Sequence, residues 1–519
     1  MSEASIAASV RAGAAVAGAK RLSSAPRMHE VRPGKPGRLP LLVLGSDTAW
    51  ASIAPILRER LCGDVPVVRP MLAEAANDGV RTLHGAAARV LDLVRSEYPV
   101  QGALGVLALE PAARMAHALA IQCLMEDIPL SFVGVIDATC VDAASAFAPE
   151  DRWLEELAEV AHNEEHLGHH FDLHWFGQPG RHLSSPATRT QGFARQRLRS
   201  WPVAAGDADT LAEQLARAVE GALDVPVTAG KHAPLMTIQS GVPGAEAYFC
   251  LPGAGASVID FIPFSTVIGS RHPVYGLQPR GMCGTQLPAG SVESAANRFV
   301  ASIQECQPRG VVHVVGHSFG GWLAFETAVR LQAAGRTVGS LTLLDSEAPG
   351  SSKRAGHEYT RPEALMLLVG LYEQAAHRPL DLSIDAFEGL CCDEQLSLLH
   401  RRLVGVGLLP RASSPGQLLG SVRCFEAAVR TRYRPSGRFD GETRLVLVRG
   451  TGETVEAAAM RQYETAEAWR RLAPRLKLRR ESGNHITLLR MPHIGETVRW
   501  LKTTTTAPSR DEASCLIRA

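Results

Sequence analysis

The sequence predicts an α/β protein built from two tandem units, each a mostly parallel β-sheet covered by helices on both faces. Three observations carry this. Between about residues 234 and 501, short apolar β-branched runs alternate with helix-length amphipathic segments, the pattern of a parallel sheet. The 519 residues exceed what a single hydrophobic core organises. The apolar spacing of the second half recurs in the first at a fixed offset.

The elements follow in chain order. Residues 1–38 are rich in Ala, Gly, Ser, Arg and Pro and read as a disordered leader; Ala14 to Ala19 is too short and too weakly apolar for a signal peptide. Residues 39–225 form the first unit and 234–505 the second, with 506–519 a flexible tail. In the second unit Ala247 to Leu251 is a short buried strand broken at Pro252-Gly253-Ala254-Gly255-Ala256, and Val274 to Leu277 is the next strand. Ser291 to Gln307 is a helix opened by Ser291 and Glu293. Val311 to Val315 is a strand, and Trp322 to Leu331 a helix. Thr337 to Leu344 is the following strand, ending at Asp345. Residues 361–429 carry little strand character and read as a helical lid inserted above the sheet. Arg444 to Val448 is a late strand, and Gly483-Asn484-His485 precedes a final helix.

Pairing Asp137 with Asp345 sets an offset of 208 residues. The same offset pairs Ala116 with Ala324, Ala120 with Ala328 and Gly102 with Gly310, without a gap from Gly102 to Asp137. This points to an ancient duplication and two tandem domains. The bland alternative is that two strand–helix–strand units share such spacing by chance.

Composition narrows the function classes. Lys+Arg is 54 against Asp+Glu 53, so no net field draws the chain to nucleic acid or an anionic membrane. No apolar run approaches the length of a membrane span. The 10 cysteines include no C-x-x-C and read as reduced thiols of a cytoplasmic protein.

The chemistry concentrates in Gly316-His317-Ser318-Phe319-Gly320. A G-x-S-x-G pattern between a strand and a helix is a nucleophile elbow. The sharp turn needs residues with almost no side chain two before and two after the serine, and the helix N-terminus favours developing negative charge. A serine nucleophile needs a base, and the base an orienting carboxylate. Asp345 ends the next strand and His485 lies far downstream, giving the order Ser…Asp…His of α/β-hydrolases. The alternatives are a structural turn for Ser318, a cap for Asp345 and a satisfied buried histidine for His485. The small residues of Pro252 to Gly255 let backbone approach an oxyanion, so the Ala254 and Phe319 amides are the candidate donors. A dinucleotide loop there would need a third glycine, and Val258 stands in its place.

In the first unit the offset puts Glu110 at the serine position and Pro111 after it. A glutamate cannot replace the serine, and proline has no N–H to give an oxyanion. That unit reads as a degenerate α/β-hydrolase-like domain, a scaffold or docking element. His162-Asn163-Glu164-Glu165-His166 matches a zinc-protease pattern, but its equivalents in the second unit carry no ligands, so a solvated helix is the expectation and no metal is assigned.

These motifs resemble the type I thioesterase domains that end nonribosomal peptide synthetases and polyketide synthases. The likeness covers about residues 234–503. It rests on Phe249 to Ala256, Val274 to Gly281, Gly316 to Trp322, Leu343 to Pro349 and Gly483 to His485. It implies an α/β-hydrolase fold with a mobile lid, Ser318 as acyl-accepting nucleophile, His485 as base and Asp345 as its orienter. The implied substrate is an acyl, peptidyl or polyketidyl chain on the phosphopantetheine arm of a partner carrier protein, with no cofactor of the chain's own, released by hydrolysis or cyclisation. Editing (type II) enzymes tend to carry the acid after the following strand. Here Arg449 to Glu453 holds no aspartate, which favours the releasing type. No D-S-L-type carrier site precedes residue 234, so action in trans and action within a larger assembly both stay open. A general carboxylesterase and a non-catalytic carrier-binding scaffold are the other readings.

Overall fold

The computed structural model describes residues 27–34, 40–45, 47–59, 65–71, 82–98, 102–109, 112–141, 171–178, 197–222, 232–350 and 357–505. The first unit holds strands β1 (Arg27–Arg32), β2 (Leu41–Leu44), β3 (Val67–Met71), β4 (Leu104–Leu109), β5 (Leu130–Ile136), β6 (Asp172–Gly177) and β7 (Arg197–Pro202). Helices α1 (Asp47–Glu59), α2 (Leu83–Glu97), α3 (Ala113–Met125) and α4 (Ala208–Ala222) pack on them. The strand order is β1-β3-β2-β4-β5-β6-β7, with β1 antiparallel to β3 and the other pairs parallel.

The second unit holds β8 (Leu235–Gln239), β9 (Ala247–Leu251), β10 (Val274–Leu277), β11 (Val312–His317), β12 (Val338–Leu344), β13 (Thr443–Leu447) and β14 (Leu476–Arg480). Its helices are α5 (Ile262–Ile268), α6 (Val292–Cys306), α7 (Gly320–Ala333), α8 (Arg361–Ala376), α9 (Cys392–Gly405), α10 (Leu419–Arg430), α11 (Val455–Leu472) and α12 (His493–Thr505). The order β8-β10-β9-β11-β12-β13-β14 repeats that of the first unit strand for strand, again with one antiparallel edge, β8 on β10. The offset of 208 carries β4 onto β11 and β5 onto β12 with both ends of each strand in register.

The central strands are long apolar runs because both faces are covered. Every residue of β4 and of β11 is buried. On one face of the second sheet Phe249, Phe299, Phe325 and Trp469 form a core; on the other, Phe261, Phe264, Ile494 and Val498 do. The insertion between β12 and β13 contains helices α8 to α10 and no strand among its described residues. It closes a core of its own around Leu365, Phe387, Leu399 and Phe425.

The expectation of a leader through residue 38 is corrected in part. Arg27–Arg32 is an edge strand paired with β3. Its sequence RMHEVR has no apolar run, because an edge strand is supported by backbone bonds on one side and needs little apolar surface. Residues 1–26 and 506–519, Glu110 and Pro111, and the His162-to-His166 pattern lie outside the described residues. No described helix is long and apolar enough to cross a membrane, and the described cysteines are free thiols.

Asp127 makes a hydrogen-bonded clasp between the two units. Asp127 ends α3 in a left-handed conformation, φ 59°. Its carboxylate accepts from Arg280 Nη1 at 2.6 Å, Arg298 Nη2 at 2.5 Å and Ser294 Oγ at 2.5 Å. Arg280 also donates to the Met125 carbonyl at 2.7 Å and to the Leu287 carbonyl at 2.9 Å. The Gly290 amide donates to the same Met125 carbonyl at 2.8 Å. Burial works against the Arg280 charge, and Asp127 returns only part of that cost; such a pair fixes register more than it stabilises.

Candidate active site

The strand–turn–helix after β11 sets Ser318 at φ 56°, a left-handed backbone that costs a non-glycine residue roughly 1–2 kcal/mol. The turn is held by Ser318 N–H donating to the Leu344 carbonyl at 2.9 Å and Gly321 N–H to the Ser318 carbonyl at 2.9 Å. Gly316 and Gly320 are required for space. A Cβ on Gly316 would collide with the Gly320 carbonyl, and one on Gly320 with the Leu251 carbonyl.

Asp345 follows β12 and is likewise left-handed, φ 45°. Its turn is pinned by two indoles: Trp469 Nε1 donates to the Ser346 carbonyl at 2.9 Å and Trp322 Nε1 to the Glu347 carbonyl at 2.7 Å. Asp345 Oδ2 meets His485 Nδ1 at 2.7 Å, and Oδ1 accepts the Val448 N–H at 3.2 Å. Burial pushes the Asp345 pKa up, but the bond to His485, that ring's charge and the Val448 amide outweigh it and hold the carboxyl below its usual value. The carboxylate is therefore charged at neutral pH and selects the His485 tautomer with its proton on Nδ1, leaving Nε2 able to accept a proton.

The loop that carries His485 is fixed locally. Asn484 Oδ1 accepts the Ile486 and Thr487 amides at 3.0 and 2.8 Å, and Thr487 Oγ1 accepts the Asn484 amide at 2.8 Å. Gly483, at φ 94°, is where the chain passes the His493 ring. Sequence reasoning missed His317, inside the elbow itself. Its Nε2 donates to the His485 carbonyl at 2.8 Å, tying the loop to the elbow. Burial, and then the His485 charge, push its pKa down to about 3, so it stays neutral and structural.

Ser318, Asp345 and His485 line one cavity of about 840 Å³, together with Ala254 and Phe319. Among the described residues the hydrogen-bond partner of the His485 side chain is Asp345; the Ser318 hydroxyl is not bonded to the ring. Such contacts commonly tighten only with substrate in place. The Ala254 loop lies against the elbow: a Cβ on Gly253 would stand 3.2 Å from Ser318 Cβ. Lid helix α10 reaches the same loop through Ser421 Oγ, which donates to the Gly255 carbonyl at 2.5 Å. Glu453, after β13, is engaged elsewhere: it pairs with Arg461 at 3.0 Å and accepts the Gly450 amide at 2.8 Å. The acid on His485 thus comes from the end of β12. Among the described residues no group of His, Cys, Asp or Glu is placed to hold a metal ion.

The family model of the thioesterase domain matches residues 247–503. Nonribosomal peptide synthetase atrA of Aspergillus terreus is 33% identical over 129 residues, covering 25% of this chain and 14% of that protein. Indigoidine synthase of Dickeya dadantii is 35% identical over 105 residues, covering 20% of this chain and 7% of that protein. The chain thus spans a small fraction of the length of these curated relatives. Among solved structures, the Vlm2 thioesterase domain bound with a dodecadepsipeptide is similar with a TM-score of 0.40 at 20% identity, covering 54% of this chain and 100% of that one. Residues 247–503, which carry Ser318, Asp345 and His485, are a thioesterase domain.

Proposed function

We propose that the protein is a serine thioesterase of nonribosomal peptide synthesis, releasing an acyl or peptidyl chain from the phosphopantetheine arm of a carrier protein in the cytoplasm. His485 Nε2 takes the Ser318 proton as Ser318 Oγ attacks the thioester carbonyl. The Ala254 and Phe319 amides hold the oxyanion, the arm's thiol leaves with the proton from His485, and an acyl-enzyme remains. Water, or a nucleophile within the chain, then attacks the ester with His485 again as base. Asp345 stays charged throughout and stabilises the imidazolium.

The observation that carries this reading is the 2.7 Å Asp345–His485 pair in the same cavity as a serine at φ 56°. A left-handed serine is a cost that a purely structural turn has no reason to bear. The acid on β12 rather than at Glu453 favours a releasing enzyme over an editing one. The test is intact mass spectrometry with acyl-carrier thioesters. The native chain gains the mass of the acyl group, and Ser318→Ala does not. Full turnover by Ser318→Ala would overturn the mechanism, and equal rates on free esters would favour a general carboxylesterase.

A further inference from the structure

Ala254, the candidate oxyanion donor on the loop after β9, packs against the hydrophobic core of the lid, the one closed by Leu365, Phe387, Leu399 and Phe425. Its turn is closed by the Ala256 amide, which donates to the Gly253 carbonyl at 3.1 Å. Gly255 stands third in that turn at φ 64°, where a positive φ favours glycine. On one side Gly253 lies against Ser318. On the other the chain is tied to Gln278, whose Oε1 accepts the Val258 amide at 3.1 Å. The middle of the turn is held from the lid.

Lid helix α10 supplies that hold. Ser421 Oγ donates to the Gly255 carbonyl at 2.5 Å. The approach is close enough to exclude a side chain: a Cβ on Gly255 would lie 2.5 Å from the Ser421 carbonyl and 3.0 Å from Phe425 Cβ. Ser421 and Phe425 are four residues apart and so share one face of α10. The helix is itself wedged in place. A Cβ on Gly420 would lie 2.1 Å from the Met282 carbonyl, the Cys424 thiol donates to the Arg280 carbonyl at 3.2 Å, and Glu426 pairs with Arg361 of α8 at 2.9 Å. The seating of the lid thus reaches Gly255 through a hydroxyl and a ring. In a closed four-residue turn the tilt of one peptide group constrains the others, so Gly255 in turn constrains the Ala254 amide. Such a donor acts only in alignment with the developing charge, and small misplacements are costly.

We propose that Ser421 is a positioning residue of the oxyanion hole: through its bond to Gly255, α10 aims the Ala254 amide at the reacting carbonyl, and the hole is complete only with α10 seated on the turn. Lid position and acyl transfer are then coupled by one hydroxyl. The proposal rests on the thioesterase reading above, with Ala254 as an oxyanion donor.

Three measurements on the full chain test it: amide hydrogen exchange across residues 253–258, turnover of hexanoyl-pantetheine, and affinity for pentylboronic acid, whose tetrahedral adduct on Ser318 would present an oxyanion. The variants are Ser421→Ala, Ser421→Thr, which keeps the hydroxyl, and Ser413→Ala as control. Ser413 Oγ makes the same kind of bond elsewhere in the lid, to the Pro410 carbonyl at 2.5 Å. In Ser421→Ala, exchange across the turn should quicken about fivefold. Its kcat and boronate affinity should each fall about tenfold, with KM within about twofold. Ser421→Thr and Ser413→Ala should stay near the native values in all three. Unchanged exchange in Ser421→Ala overturns the anchoring. Faster exchange with kcat and boronate affinity intact overturns the positioning role, as does an equal loss in Ser413→Ala. Each of these, with native turnover present, sinks the proposal and leaves the thioesterase reading standing. A native chain with neither turnover nor boronate binding sinks that reading, whatever the exchange shows.

Discussion

The two sheets share a strand order but differ at the turn that follows the fifth strand of each, and the difference shows where function sits on this fold. Asp137 and Asp345 occupy the same position, each just beyond the fifth strand of its sheet. Asp345 is left-handed and turns its carboxylate to His485 at 2.7 Å. Asp137 turns inward on its own loop, accepting the Thr139 amide at 3.0 Å and the Thr139 hydroxyl at 2.8 Å. One aspartate orients a distant imidazole; the other caps a turn. The scaffold keeps the carboxylate, and the partner it meets decides what the carboxylate does.

The sharpest way to break this comparison is to neutralise both aspartates. Asp345→Asn should lower kcat by roughly 10⁴-fold, because the amide no longer selects the right His485 tautomer. Asp137→Asn should leave kcat within twofold and cost at most about 1 kcal/mol of stability, because the amide oxygen can still accept the two Thr139 bonds. Thioester turnover and urea midpoints on the two proteins check both. A comparable kcat loss in Asp137→Asn would mean the first unit shares the chemistry.

A second comparison lies at the ends of two equivalent helices. Gly335 follows α7 with φ 73°, and its counterpart after α3, Asp127, has φ 59°. Glycine there simply ends a helix. Aspartate accepts the strain of the same backbone and gains a carboxylate aimed at Arg280 and Arg298. Removing it leaves the Arg280 side chain, 1% exposed, without its counter-charge. Asp127→Ala should cost about 3 kcal/mol, the lower end for a broken buried pair, because Asp127 is itself 26% exposed. Burial pushes the Asp127 pKa up, but Arg298, Ser294 and Arg280 outweigh it and hold the carboxyl below its usual value. The folded state therefore prefers the charged form. Its contribution is complete above the ordinary carboxylate range and is lost as pH falls through the depressed value. Asp127→Asn should flatten stability against pH only in that acid window. An unchanged acid limb would show that the clasp does not couple to folding.

These contrasts also show what was readable in the chain. Ser318, Asp345 and His485 were legible because each sits at a strand end marked by glycine or a sharp change of pattern. The central strands were legible because burial on both faces makes them unbroken apolar runs. The edge strands were not. Leu235–Gln239 has only half-buried or exposed positions, and Arg27–Arg32 is mostly polar, so neither shows the burial that marks a strand. The clasp was also hidden, since Arg280 and Asp127 lie 153 residues apart and no local pattern records that they meet. His317 was named within the motif, but its hydrogen bond to a carbonyl 168 residues away leaves no trace in spacing. His317→Phe should keep the fold and lower kcat by about tenfold, with KM little changed, as the His485 loop loses its tether and the base shifts from its productive position; an unchanged kcat would reduce His317 to packing.

The finest comparison is between the N-caps of α2 and α6, which occupy matching places in the two units. Thr82 Oγ1 accepts the Gly85 amide at 2.9 Å, and Ser291 Oγ accepts the Ser294 amide at 3.2 Å. Each alanine substitution should cost about 1 kcal/mol of stability, the usual worth of a cap. The two should separate in activity. Ser291 begins a helix that packs on the back of the sheet core, through Phe299 and Ile303. Thr82 begins the helix that forms a wall of the Ser318 cavity. Thr82→Ala should therefore also change the ratio of kcat/KM between long and short acyl thioesters, by a few-fold, as the first turn of α2 loosens. Ser291→Ala should leave that ratio fixed. Equal ratios in the two variants would mean that the α2 wall is a boundary the substrate never reaches.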